Sequence, residues 1–172
     1  HYKAWKMLAD KLGIPFDEQI NNRLRGVSRM ESLEIILEKS EKAYTEEEKV
    51  EMAEEKNANY RELLAQMSPK DLSSEVKETL DLLHGTKLLA IGSSSKNTAF
   101  ILERIGLAGY FDAVADGNDI TRSKPDPEVF LIAARRLNLK PQECLVVEDA
   151  TAGVDAAVAG GFDCAAVGDA AG

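Results

Sequence analysis

Three short segments in the second half of the chain carry residue types that could do chemistry together. They are Gly92-Ser93-Ser94-Ser95-Lys96-Asn97, Ser123-Lys124-Pro125-Asp126-Pro127, and Glu148-Asp149 followed by Ala150-Thr151-Ala152-Gly153. A run of hydroxyl residues leading into a helix offers backbone N–H groups and side-chain hydroxyls that can hold a phosphoryl group. A lysine set between a loop and a proline-started helix is a fixed point charge for phosphate oxygens. Two adjacent acids at the end of an apolar strand present hard oxygen ligands of the kind that suit Mg²⁺. Each segment has a plainer reading when taken alone: serines as helix caps, a surface lysine, an acidic pair at a helix start. Their occurrence in this order, each after an apolar run, points to one site: hydroxyl for phosphoryl, lysine for charge, carboxylates for metal.

Such a site needs elements that bring the three segments together. The apolar runs Leu88–Ile91, Ala113–Ala115, Leu145–Val147 and Ala165–Val167 read as buried strands, and helices over about 74–84, 97–105, 127–137 and 150–159 separate them. Repeating βα units imply an α/β fold, a Rossmann-like parallel sheet with helices on both faces, whose ligands collect beyond the carboxyl ends of the strands. Asp126 can cap a helix that has Pro127 in its first position, and Gly106 and Gly160-Gly161 close helices.

Residues 1–70 read differently, as a helical domain ahead of an α/β domain over 71–172, with Ser68-Pro69-Lys70-Asp71 at the boundary. Tyr2, Trp5, Leu8, Ala9 and Leu12 recur at helical spacing until Gly13 and Pro15, and a second helix is expected from Phe16 to Arg23. Ser28 with Glu31 and Thr45 with Glu48 are capping-box patterns that open two more helices. The last of these carries the stripe Val50, Ala53, Asn57, Tyr60, Leu64, Met67. Asn57 interrupts it, either as a buried amide bonded to a neighbouring helix or, with Lys56, at a cleft.

At 172 residues, 44% of them hydrophobic and 30% charged, the chain can fill one core and a small accessory domain. Its formal charge of -9 disfavours non-specific binding to nucleic acid, so an anionic substrate requires a local cluster of cations. Cys144 and Cys164 each lie in an apolar run read as a buried strand, which argues against a disulfide framework and for a reduced, cytoplasmic setting. No apolar stretch approaches the length of a membrane span and no basic-then-apolar run opens the sequence, so neither a membrane span nor a secretion signal is expected, and no membrane is expected as a partner.

Ser93, Lys124 and Glu148-Asp149 resemble the second, third and fourth motifs of the haloacid dehalogenase superfamily across residues 88–161, and the helical region resembles that superfamily's cap domain. Arg25-Gly26-Val27-Ser28-Arg29-Met30-Glu31-Ser32, Glu55-Lys56-Asn57-Ala58-Asn59-Tyr60 and Gly92–Asn97 are similar to segments of its β-phosphoglucomutase branch, a likeness that extends over essentially the whole chain. The resemblance implies interconversion of β-glucose 1-phosphate and glucose 6-phosphate through β-glucose 1,6-bisphosphate and an aspartyl-phosphate, with Mg²⁺ as cofactor, a hexose phosphate as small-molecule partner, and a monomer. It makes Ser93 and Lys124 catalytic and Glu148 and Asp149 metal ligands. Arg29 would hold the non-reacting phosphate, Lys56 and Asn57 would line the cap side, and His1 would sit at the hinge near the sugar hydroxyl. Ser95 and Asn97 would contact substrate from the core, and Trp5, Arg25, Gly26 and Ser94 would complete the substrate-binding set.

One departure stands out. The superfamily's first motif, two aspartates spaced by one residue after a central opening strand, supplies the nucleophile and the acid/base; its place is ahead of His1. The chain is therefore expected to be part of a longer protein that continues at both ends. A phosphatase acting on a sugar or glycolate phosphate shares the core motifs, whereas Arg29 and Lys56-Asn57 favour the mutase. A non-catalytic phosphate- and metal-binding module is the reading of another class.

Overall fold

The first helix forms because its apolar residues share one face: α1 (Tyr2–Leu12) buries Ala4, Trp5, Leu8 and Ala9 and ends at Gly13. The computed structural model describes residues 1–171; Gly172, the last residue of the expected second domain, lies outside the described residues. Helix α2 (Glu18–Arg23) starts two residues after the expected Phe16, because the Asp17 carboxylate accepts the Ile20 N–H at 2.9 Å and sets the cap there. Both capping boxes form as read, Ser28 with Glu31 opening α3 (Arg29–Leu37) and Thr45 with Glu48 opening α4 (Glu46–Ala65). The four helices close around Trp5, Leu8, Phe16, Leu33, Ile36 and Ala53.

The inward face of α4 differs from the expected stripe. Ala53, Lys56, Tyr60 and Leu64 are buried, a spacing of three, four and four, while Val50 is 47% exposed. Following one helical face places Lys56 rather than Asn57 on the line of greatest burial, and Asn57 falls at its edge.

After a 3-10 turn at Pro69–Asp71 come α5 (Ser74–Leu83), β1 (Ala90–Gly92), α6 (Thr98–Arg104), β2 (Ala113–Ala115), α7 (Glu128–Arg136), β3 (Leu145–Glu148), α8 (Thr151–Ala159) and β4 (Asp163–Ala166). The alternation is the expected one and the pairing is parallel, with Ile91 opposite Val114 and Val146 opposite Cys164. The strands form two parallel pairs, β1 with β2 and β3 with β4, instead of a single sheet. The strands are also less buried than read, since Val146 is inside while Leu145 and Val147 are each 63% exposed, so β3 packs through one face. Cys144 precedes β3, and both cysteines are half-buried and free, which corrects the reading of both as buried strand residues. Helix α7 begins at Glu128 and not at Pro127, and the Asp126 carboxylate still accepts the Glu128 N–H at 3.0 Å.

The second apolar cluster gathers Ala115, Val129, Phe130, Ala133, Val146 and Phe162 between strands and helices. A third joins the halves: Ala4, Tyr60 and Leu64 pack with Phe100 and Ile101 of α6. Beside it the Arg104 guanidinium donates to the Met67 carbonyl at 3.0 and 2.7 Å. Among the described residues no helix is long and apolar enough to cross a membrane.

Candidate active site

On the α/β side, the loop after β1 coils through its own hydroxyls. The Ser95 N–H donates to Ser93 Oγ and the Asn97 N–H to Ser95 Oγ, each at 3.1 Å, turning the chain into α6. The Ser94 hydroxyl instead donates to the Gly26 carbonyl across the cleft at 3.0 Å. Lys124 is buried, with Nζ 2.8 Å from Glu148 Oε2 and 4.6 Å from the centre of the Phe130 ring. Gly153 permits this pair, because a Cβ at that position would overlap the Glu148 carboxylate. Asp149 makes no side-chain hydrogen bond to protein among the described residues, and its carboxylate borders the same cavity as Lys124.

On the helical side, Arg29 at the start of α3 donates through Nη2 to Asn57 Oδ1 at 3.0 Å, and Asn97 Nδ2 donates to the same oxygen at 2.9 Å. Lys56 is 3% exposed and has no carboxylate partner among the described residues. Its Nζ lies 3.0 Å from His1 Nδ1, 4.3 Å from the Trp5 ring centre and 4.8 Å from that of Tyr60. Burial, and then the neighbouring Arg29 charge, push Lys56 from the ordinary lysine range down to about 7. The His1 ring stacks on Tyr60 with centroids 3.9 Å apart.

Gly26, at φ 78, carries the chain close over Ala152 and the Lys124 side chain, a conformation and an approach that a Cβ would obstruct. Arg25 reaches Asp169 at 2.7 Å.

These residues enclose a cavity of about 740 Å³. Ser93, Ser94, Ser95, Asn97, Lys124, Glu148 and Asp149 line it from the α/β half. His1, Trp5, Arg25, Gly26, Arg29, Lys56 and Asn57 line it from the helices, so every residue expected to act in catalysis, substrate binding or metal binding borders one space. Glu31 was read only as a helix cap. Its Oε2 accepts the Ser28 N–H at 2.9 Å and also the Ser123 hydroxyl at 2.7 Å, tying α3 to the lysine loop; both partners draw the Glu31 carboxyl below its usual range. A capping box leaves no trace in sequence of a second partner 92 residues away.

No group of three side chains suited to a metal gathers among the described residues. The two carboxylates differ: Glu148 is engaged by Lys124 and by the Ala150 N–H at 3.3 Å, whereas Asp149 has no protein partner among the described residues. One or two carboxylates beside a phosphate site suit a small hard cation that completes its shell with water and phosphate oxygens, which describes Mg²⁺.

Parallel βα units carrying a hydroxyl loop, a buried lysine and an acidic pair at successive strand ends, under a helical layer that supplies further cations, define an α/β protein of the phosphoryl-transfer class. The chain belongs to the haloacid dehalogenase-like hydrolase family, whose match covers residues 1–161. It is 39% identical over 171 residues to the β-phosphoglucomutase of Bacillus subtilis strain 168, covering 98% of this chain and 76% of that protein. It is 32% identical over 167 residues to a phosphorylated carbohydrates phosphatase of Thermotoga maritima, covering 95% and 74%. The crystal structure of a β-phosphoglucomutase from Clostridium difficile superposes with a TM-score of 0.91 at 40% identity, covering 98% of this chain and 77% of that one.

Proposed function

We propose that this chain belongs to a β-phosphoglucomutase, interconverting β-D-glucose 1-phosphate and D-glucose 6-phosphate through β-glucose 1,6-bisphosphate and an aspartyl-phosphate enzyme. The observation that carries this reading is the pair of cation sites facing one cavity. Lys124 lies beside the acidic pair, and Arg29 with Lys56 lies on the helical side. A bisphosphate presents two anionic ends, and a phosphoryl group that leaves one end and returns at the other needs both held. Residues 1–70 are the cap and 71–172 the α/β core in this reading, a division supported by their separate apolar clusters.

In the proposed mechanism the Ser93 hydroxyl donates to, and the Lys124 ammonium neutralises, the oxygens of the transferring phosphoryl group. Their benefit grows as charge develops on those oxygens in the transition state. Arg29 and the Asn57 amide hold the non-transferring phosphate, with Lys56 and His1 beside the sugar. Ser94, Ser95 and Asn97 contact the substrate from the core side, while Trp5, Arg25 and Gly26 shape the wall that excludes water. Glu148 and Asp149 would hold Mg²⁺, which when bound would neutralise charge on the phosphoryl oxygens. The attacking carboxylate, whose oxygen takes the phosphoryl group as the sugar oxygen leaves, belongs to the Asp-x-Asp motif expected ahead of His1.

The experiment is a coupled assay on the full-length protein supplied with β-glucose 1-phosphate, catalytic bisphosphate and Mg²⁺. Formation of glucose 6-phosphate supports the mutase. Release of inorganic phosphate without isomer would replace it with the phosphatase reading that the Thermotoga maritima relative represents. Neither product, in a protein that carries the motif, would leave a binding module.

A further inference from the structure

Arg61, on the side of α4 that faces α6, does not line the cavity, yet it is bonded into the network that the cavity exposes. Its Nη1 donates to Asn97 Oδ1 at 3.2 Å, and its guanidinium lies 4.5 Å from the centre of the Phe100 ring, which holds it in place. Asn97 is 6% exposed, and its other amide end donates to Asn57 Oδ1, the atom that also accepts from Arg29. An amide can be turned end for end with almost no change in shape, so what fixes its sense is the character of its neighbours. Reversed, Asn97 would set its NH₂ against the Arg61 donors and its oxygen against the Asn57 oxygen, losing both bonds. The Arg61 charge, which can only donate, therefore selects the observed sense. That sense occupies Asn57 Oδ1, and among the described residues Asn57 Nδ2 has no protein partner, so its N–H groups are available to the cavity that Asn57 lines.

We propose that Arg61 is a positioning residue: by fixing the polarity of the Asn97 amide it adds a second donor, beside Arg29, to Asn57 Oδ1, and so holds Asn57 Nδ2 and Arg29 together toward the non-transferring phosphate of the substrate. The proposal rests on the hexose phosphate reading of the site, and it adds a residue that does not touch the substrate. It also ties α4 to the start of α6, so the donor set is complete only when the helical half sits against the α/β half.

The test is a mutant cycle on the full-length protein, reading kcat and KM for glucose 6-phosphate formation. Arg61→Met keeps an unbranched apolar chain over Phe100 and removes the donors; kcat/KM is expected to fall about tenfold, the order of one lost charge-assisted hydrogen bond. Arg61→Lys, which retains a cationic donor, should recover most of that loss. In an Asn57→Ala background Arg61→Met should cost nothing further, because the group it orients is gone, whereas a merely structural arginine gives two losses that multiply. Wild-type kinetics in Arg61→Met, or multiplying losses in the double variant, would overturn the proposal. Should Arg61→Met not fold, Asn97→Asp carries the test: it still accepts from Arg61 but cannot donate to Asn57, so it must lose at least as much kcat/KM as Asn57→Ala, and a smaller loss or wild-type kinetics there overturns the proposal equally. A wild-type protein that releases phosphate and forms no isomer defeats the mutase reading alone, and the same variants then read the Arg61 network on phosphate release.

Discussion

Two lysines are buried on opposite walls of one cavity, and their surroundings are opposites. Lys124, in the α/β half, is 6% exposed and lies 2.8 Å from the Glu148 carboxylate. Lys56, in the helical half, is 3% exposed and meets an imidazole, an indole and a phenol ring, with Arg29 as its nearest charged influence. A buried ammonium beside a carboxylate has a counter-charge within reach, whereas burying a lone ammonium among rings pushes it toward the neutral form. One wall thus holds its counter-charge within the fold, and the other holds an ammonium whose charge an arriving anion can restore. Cation–π contacts offset part of the cost on the helical side without supplying a counter-charge.

Breaking the paired side should have the largest effect. Lys124→Ala in the full-length protein is expected to lower kcat about 10²–10³-fold at saturating Mg²⁺, the cost of one lost transition-state charge stabiliser. It should also destabilise the fold by about 3 kcal/mol or more, because Glu148 is left buried without its partner. An unchanged rate would remove Lys124 from the site. On the unpaired side, Arg29→Ala should lower kcat/KM by roughly 10²-fold and act chiefly through KM, since it holds a group that does not react. A loss confined to kcat would place Arg29 at the reacting end and dissolve the contrast between the two walls.

How much of this contrast could be read from the sequence follows from the range of the interactions. The capping boxes at Ser28 and Thr45 and the stop at Gly13 were legible because each acts within a few residues. The order of strands and helices was legible from alternating apolar runs and punctuation. The Lys124–Glu148 pairing was foreshadowed by two strand-end positions of one fold. The burial of Lys56 was not, because a lysine on a helix signals solvent, and only the packing of α1 against α4 reveals Trp5, His1 and Tyr60 closing over it. Val50 and Leu145 were read as inward for the reverse reason: an apolar residue fits a stripe or a strand whether or not anything covers it. Glu31 with Ser123 and Arg61 with Asn97 join residues 92 and 36 positions apart, which no local pattern encodes.

The helical wall also makes a prediction about stability. Lys56 titrates near 7 in the fold against about 10.4 in an unfolded chain, so between those values the unfolded state binds more protons and stability rises with pH. Below pH 7 the ammonium is charged in both states and its burial penalty is fully present. Lys56→Met should therefore stabilise the protein at pH 6 by a few kcal/mol, with the gain shrinking toward pH 10, as urea unfolding at the two values would show. Equal gains at both would mean that the side chain is solvated as an ammonium in the native state.

The smallest effect is the one that ties the two walls to substrate. At pH 8 Lys56 is mostly neutral, while a phosphate dianion entering the cavity lowers the cost of its charge, so binding must draw a proton from solvent. Titration calorimetry with a hexose phosphate at pH 8, in two buffers of different ionisation enthalpy, should reveal uptake of up to about one proton per site. The uptake should vanish in Lys56→Met and persist in Arg61→Met, which perturbs the amides but leaves the ammonium in place. Identical enthalpies in the two buffers for the wild type would show that the lysine on the helical wall does not change charge when substrate binds, and that its lack of a carboxylate partner has no consequence for binding.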